Sequence, residues 1–197
     1  MPKVSDEYKE SKRREIAEAA MRAFERKGFQ AASMADIIAE SGASAGAIYG
    51  AYRSKSEIVH VVATSLVNER LLAGEEFLTR DPLPSPGEVV GLMMRSITSA
   101  ISRTDILVQL WGEAITDPEL KVITSEIMDR IEGAYRGYLA TWYVKARDLS
   151  TDDAADLARR VAPLFVSMSQ GYIIQSALRA DFDREAYLAS AAEFLPH

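Results

Sequence analysis

Apolar residues recur every three or four positions along nearly the whole chain, and glycine, proline, hydroxyl and carboxylate residues interrupt them at intervals. This pattern predicts helices. Ile16, Ala19, Ala20, Ala23 and Phe24 mark one face of a helix over residues 6–27, stopped by Gly28. Ser33 and Asp36 form a capping-box-like start for a short helix beginning near Met34, with Ile37, Ile38 and Ala39 behind it. Gly42 ends that helix, and Ser44 caps another over residues 45–50. Ser54 and Glu57 open a helix expected to reach Thr79, with Ile58, Val61, Val62, Leu66 and Leu71 at helical spacing.

Residues 80–87 hold three prolines and a glycine and read as a surface linker. Beyond it the spacing predicts helices over 87–103, 105–116, 118–147, 152–180 and 183–194. Asp117 before Pro118, and Ser150-Thr151-Asp152, supply the punctuation. No segment alternates as a strand would, and hairpin dipeptides such as Asn-Gly are absent. The expected fold class is therefore all-α, with about nine helices.

Two short helices joined by the tight turn at Gly42 form a helix-turn-helix, a unit whose second helix fits a DNA major groove. The chain's net charge of −6 looks unsuited to DNA until it is divided. Residues 1–60 hold 10 basic and 9 acidic side chains, and the rest hold 13 and 20. This split permits a phosphate-binding head on an acidic body. A chain of 197 residues with 48% hydrophobic content can bury a sizeable core. No cysteine, no secretory-type start and no apolar run long enough for a membrane span point to the cytosol. With two isolated histidines and no cysteine, no metal site is expected.

Gly42-Ala43-Ser44-Ala45-Gly46 also fits the G-x-S-x-G pattern of serine hydrolases. That chemistry needs a strand before the serine and a converging histidine, whereas the preceding residues are helical and the only histidines are His60 and His197. An enzyme is not expected, nor is a cofactor.

Ile16, Ala19-Ala20, Phe24, Gly28-Phe29, Ser33, Ile37-Ile38, Ser41-Gly42, Ser44, Gly46, Ile48-Tyr49, Tyr52 and Lys55 together resemble the TetR family of transcriptional regulators. Leu107 to Ala114, followed by Asp117-Pro118-Glu119, also resembles the body of a BetI-like branch. The resemblance implies a DNA-binding domain at 1–54 and a helical ligand-binding and dimerisation domain at 55–197. It further implies a homodimer on a palindromic operator, usually as a repressor, and a small-molecule effector.

Carried onto this chain, the resemblance puts the 45–50 helix in the major groove and Ser33, Tyr49, Tyr52 and Lys55 around the phosphates. For Tyr52, packing beneath the head is the stronger of the two readings. Lys12-Arg13-Arg14 reads either as a basic arm toward DNA or as ordinary solvated charge. Many relatives carry an aromatic residue or histidine where this chain has Gly50-Ala51. Ala45, Gly46 and Ala47 cannot form bidentate base contacts. Reading then rests on Ser44, thymine methyls, close backbone approach and DNA shape, and Gly50 weakens the short helix. A helical sensor or carrier without DNA binding stays open as the alternative.

In the body, Met93, Met94, Ile97, Leu107, Leu110, Trp111, Tyr135, Tyr138, Trp142, Phe165, Met168 and Tyr172 read as the wall of an apolar cavity or as plain core. Ser169, Gln109 and Glu113 are candidates to orient a ligand. Gly171, Ile174, Ala177, Leu178, Tyr187, Leu188, Ala191 and Leu195 are the expected dimer seam. A ligand-driven tilt of the 55–79 helix would then change the spacing of two heads.

Overall fold

The computed structural model describes residues 6–75, 79–101 and 103–196. Residues 76–78 of the expected 55–79 helix, and the side chains of Leu66 and Leu71 in its stripe, lie outside the described residues. The described residues form nine helices and no strand: α1 (Asp6–Lys27), α2 (Met34–Ser41), α3 (Ala45–Ala51), α4 (Lys55–Glu75), α5 (Pro86–Ala100), α6 (Asp105–Thr116), α7 (Pro118–Arg147), α8 (Thr151–Leu178) and α9 (Arg184–Phe194).

Side-chain caps set most of the boundaries. Ser33 and Asp36 make a reciprocal capping box at α2, whose C-cap Gly42 adopts φ 65°. Asp117 accepts from the backbone N–H groups of Glu119 and Leu120 at the start of α7. Asp183 does the same for Ala186 at the start of α9. The box expected at Ser54 and Glu57 is shifted: Ser54 Oγ accepts from Glu57 N, but the Glu57 carboxylate takes the N–H of Arg53 at 2.7 Å.

Helix α5 departs from the expected 87–103. It starts at Pro86 because Ser85 and Glu88 form a capping box around it, a signal overlooked in the sequence. It stops at Ala100 because Ile101 turns extended and buries its side chain. Helix α8 runs unbroken through Pro163.

Two apolar clusters result. The first joins Ile16, Ala20, Phe24, Phe29, Ile37, Ile48 and Tyr52 of the head to Ile58 and Val62 of α4. It also takes in Ile106, Ala114, Leu120 and Ile123 from the α6–α7 corner. The second lies in the body, between α5, α7, α8 and α9. Helix α6 serves both, turning Ile106 and Ala114 to the head and Leu107 and Trp111 to the body.

The expected seam needs correction in α9. Leu188 and Ala191 are buried within this chain, where α9 packs on α5. A Cβ on Gly87 would stand 2.3 Å from Ala192 Cα, so the two helix backbones meet there. Gly171 faces Tyr187, whose hydroxyl donates to Met168 O at 2.9 Å and whose ring packs on Tyr172 and Phe182. Of the seam candidates, Ile174 and Leu178 are exposed, while Ala177 and Leu195 are half-covered.

Candidate functional site

The head presents α3 outward. Ser44, Ala45, Gly46, Ala47, Tyr49 and Gly50 are all exposed, and a Cβ on either glycine would meet open space. Ser44 Oγ accepts from Ala47 N at 3.2 Å, so the hydroxyl that fits the G-x-S-x-G pattern acts as a helix cap. The segment before it is helical, and His60 stands on α4 facing Glu126 at 3.7 Å. Ser33 is also exposed, but its hydroxyl donates to the Asp36 carboxylate. The Lys27 ammonium, then the Ser33 backbone and hydroxyl, hold that carboxyl well below the usual range.

Two expected phosphate contacts are corrected. Tyr52 is fully buried, on the same helical face as Ile48, and its hydroxyl donates to Arg13 O at 2.9 Å. The Arg13 guanidinium stacks on the Tyr52 ring, donates to Ala51 O at the C-terminal end of α3 and pairs with Glu57. In the Lys12-Arg13-Arg14 cluster, Arg13 is thus half-buried and engaged within the head, Lys12 pairs with Glu15, and Arg14 is exposed.

Lys55 also turns inward. Its ammonium donates to Phe29 O and lies 4.2 Å from the centre of the Phe29 ring. Burial lowers its pKa, partly opposed by Glu113. Nothing in the local sequence announces this, because the accepting carbonyl lies 26 residues away.

The body encloses a cavity of about 130 Å³. Of the expected wall, Met93, Met94, Ile97, Leu107, Leu110, Trp111, Tyr135 and Ser169 line it. Tyr138, Trp142, Phe165 and Tyr172 are core residues instead, and the half-buried Met168 is not part of the lining. The physical reason is helix geometry: the buried face of a long helix wraps around more than one neighbour, and only part of it meets the void. Tyr138, for example, donates to Pro84 O under the linker. The reading missed Ala63, Ile101, Thr124, Met128, Val166, Gln170 and Ile173. Ile127 and Ile131, which precede Tyr135 on α7 at intervals of four residues, complete the wall.

Gln109 and Glu113, proposed as ligand-orienting, face the head. Gln109 Oε1 accepts from Gln30 N at 3.4 Å, and its amide donates to Asp105 at 3.1 Å. Asp105 holds Arg103 through two contacts, and Arg103 donates to Glu25 O at 2.7 Å. Gly28 lies under this clamp at φ 83°, where a Cβ would be strained and would stand 2.8 Å from Gln109 Oε1. The start of α6 thus grips the turn between α1 and α2, while Leu107, Leu110 and Trp111 form cavity wall.

Residues 16–62 match the model of the tetR family of bacterial regulatory proteins. Over 70 residues the chain is 39% identical to YfiR of Bacillus subtilis, named as an HTH-type transcriptional regulator. That match covers 36% of this chain and 34% of the relative, so it spans about a third of the relative's length. The fold is similar to that of a TetR transcription regulator from Haloarcula marismortui, with TM-score 0.74 and 13% identity over 94% of this chain and 97% of that one. GusR of Salmonella enterica gives TM-score 0.66 at 17% identity, covering 98% of each chain. The transcriptional regulator FadR of Bacillus subtilis, in complex with stearoyl-CoA, gives 0.67 at 15% identity over 91% and 95%. At these identities the likeness to solved structures is one of fold.

Proposed function

We propose that this chain, whose residues 16–62 match the tetR family of bacterial regulatory proteins, acts as a ligand-responsive transcriptional repressor of that family. In this reading a homodimer holds a palindromic operator through two α3 helices and releases it when a small, mainly apolar molecule fills the cavity. Residues 1–54 read DNA and residues 55–197 bind ligand and partner, with the first turns of α4 shared between them.

The observation that carries the reading is the double engagement of α6. A ligand that displaces Leu107, Leu110 or Trp111 moves the same helix that clamps the turn after α1 through Arg103, Asp105 and Gln109. Two heads must reach successive major grooves roughly 34–36 Å apart, so a small tilt defeats simultaneous contact. Inverting a 99:1 population takes about 5.5 kcal/mol of differential ligand affinity. The dimer reading draws support from the exposed apolar side chains Leu164, Ile174 and Leu178 along α8 and Phe194 at the end of α9.

A gel shift with the DNA upstream of the chain's own coding region, over a range of salt concentrations, tests the proposal. The expected result is a dimer-sized complex that outlasts competition by unrelated DNA and weakens steeply with salt. Equal affinity for unrelated DNA would refute it. The same outcome would favour the second reading, a helical sensor without operator binding. That reading draws on the bare surface of Ala45, Gly46, Ala47 and Gly50 and the inward turn of Lys55.

A further inference from the structure

The hydrogen bonding around the cavity restricts what can occupy it. Ser169 Oγ lies 2.9 Å from Phe165 O and 2.9 Å from Tyr135 Oη. A carbonyl only accepts and serine has one hydroxyl proton, so that proton goes to Phe165 and Tyr135 must donate to Ser169. Tyr135 is thereby left with a free lone pair and no proton to offer. Burial reinforces the neutral phenol, pushing its pKa up to about 12.

Gln170 Nε2 rests 3.4 Å from Met128 Sδ, a weak acceptor that a better one would replace. Thr124 Oγ1 is shielded and has no hydrogen-bond partner among the described residues. The remaining wall is aliphatic, thioether and indole. Among the described residues that line the cavity, none carries a charge. An ionic ligand would lose its hydration there with no counter-charge from these residues in return. The volume, about 130 Å³, is close to that of the roughly 150 Å³ engineered cavity that accepts benzene.

We propose that the cavity takes a neutral, ring-sized apolar molecule bearing one hydroxyl, which donates to the Tyr135 oxygen and accepts from the Gln170 amide. This deepens the regulator reading and rests on it for its biological meaning, but binding can be measured without DNA.

Four probes of similar size decide the matter by calorimetry on the purified full chain at neutral pH: phenol, toluene, benzoate and benzylammonium. Phenol is expected to bind about tenfold more tightly than toluene, the value of one well-made neutral hydrogen bond. The two ions are expected to bind more weakly than either. Gln170→Leu should narrow the gap between phenol and toluene, the Tyr135 acceptor remaining, and Tyr135→Phe, which removes that acceptor, offers a second route should the first variant fail to fold. Phenol binding no tighter than toluene, an ion binding as well as phenol, or no binding by either neutral probe overturns the proposal. Operator release is scored separately. Phenol binding without release would refute the regulator reading and leave the ligand assignment standing.

Discussion

Tyr49 and Tyr52 lie three residues apart and have opposite environments, one exposed on α3 and one sealed beneath it. Tyr52→Phe removes the hydroxyl bond to Arg13 O and should lower stability by about 1 kcal/mol, visible as a drop in Tm. Tyr49→Phe should leave Tm unchanged while weakening operator binding in a gel shift. Lys55→Ala should lower Tm as well, because its charged bond to Phe29 O is worth about 1.5–3 kcal/mol. An unchanged Tm for Lys55→Ala would return that lysine to the phosphate-facing set. The fate of Tyr52 was legible in principle, since it follows Ile48 by four residues on one helical face and Ile48 is plainly apolar. The fate of Lys55 was not, because it depends on a turn brought near only by the packing of α1 against α4.

Caps and turns made most elements readable, from Ser33 and Gly42 to Asp117 and Asp183, because each satisfies orphan backbone groups locally. Partnership between elements was less readable. The apolar stripe of α9 fits a second chain as well as its own α5, and spacing alone cannot separate the two. Gly87→Ala tests the observed choice. A methyl group placed at the α5–α9 contact should force the helices apart and cost about 1–3 kcal/mol, seen in chemical denaturation. In α3 the sign reverses. Gly46→Ala and Gly50→Ala meet nothing inside the protein, so each should stabilise the short helix by about 0.5–1 kcal/mol. Each should also weaken operator affinity if the backbone approaches base edges there. A gain in both Tm and affinity would rule out close approach.

Across the molecule, burial raises the pKa values of Tyr52, Tyr135, Tyr138, Tyr143 and Tyr187. Between the ordinary tyrosine value near 10 and these raised values, the unfolded chain sheds protons that the folded chain keeps. Stability therefore falls as pH rises through that window. For Tyr135, with a folded value of about 12, the loss should approach about 2–3 kcal/mol. Tyr135→Phe should flatten the alkaline limb of a Tm-against-pH curve, and an identical limb in the variant would contradict the burial argument. The division between cavity wall and solid core was the least legible part of the body. Tyr135 and Tyr138 share one stripe, and only the position of α5 and of the linker decides which of them meets the void.

The first cluster draws Ile106, Ala114, Leu120 and Ile123 from beyond the head to close over Ile16, Phe24 and Ile37. A fragment of residues 1–54 should accordingly show little cooperative melting by circular dichroism, and a sharp transition would disprove that dependence. A nonsense mutation downstream of the linker would then leave no stably folded head in the cell. It would leave an unroofed peptide for proteases, and under the proposed repressor role its target genes would be switched on by loss of the very segment proposed to sense the signal.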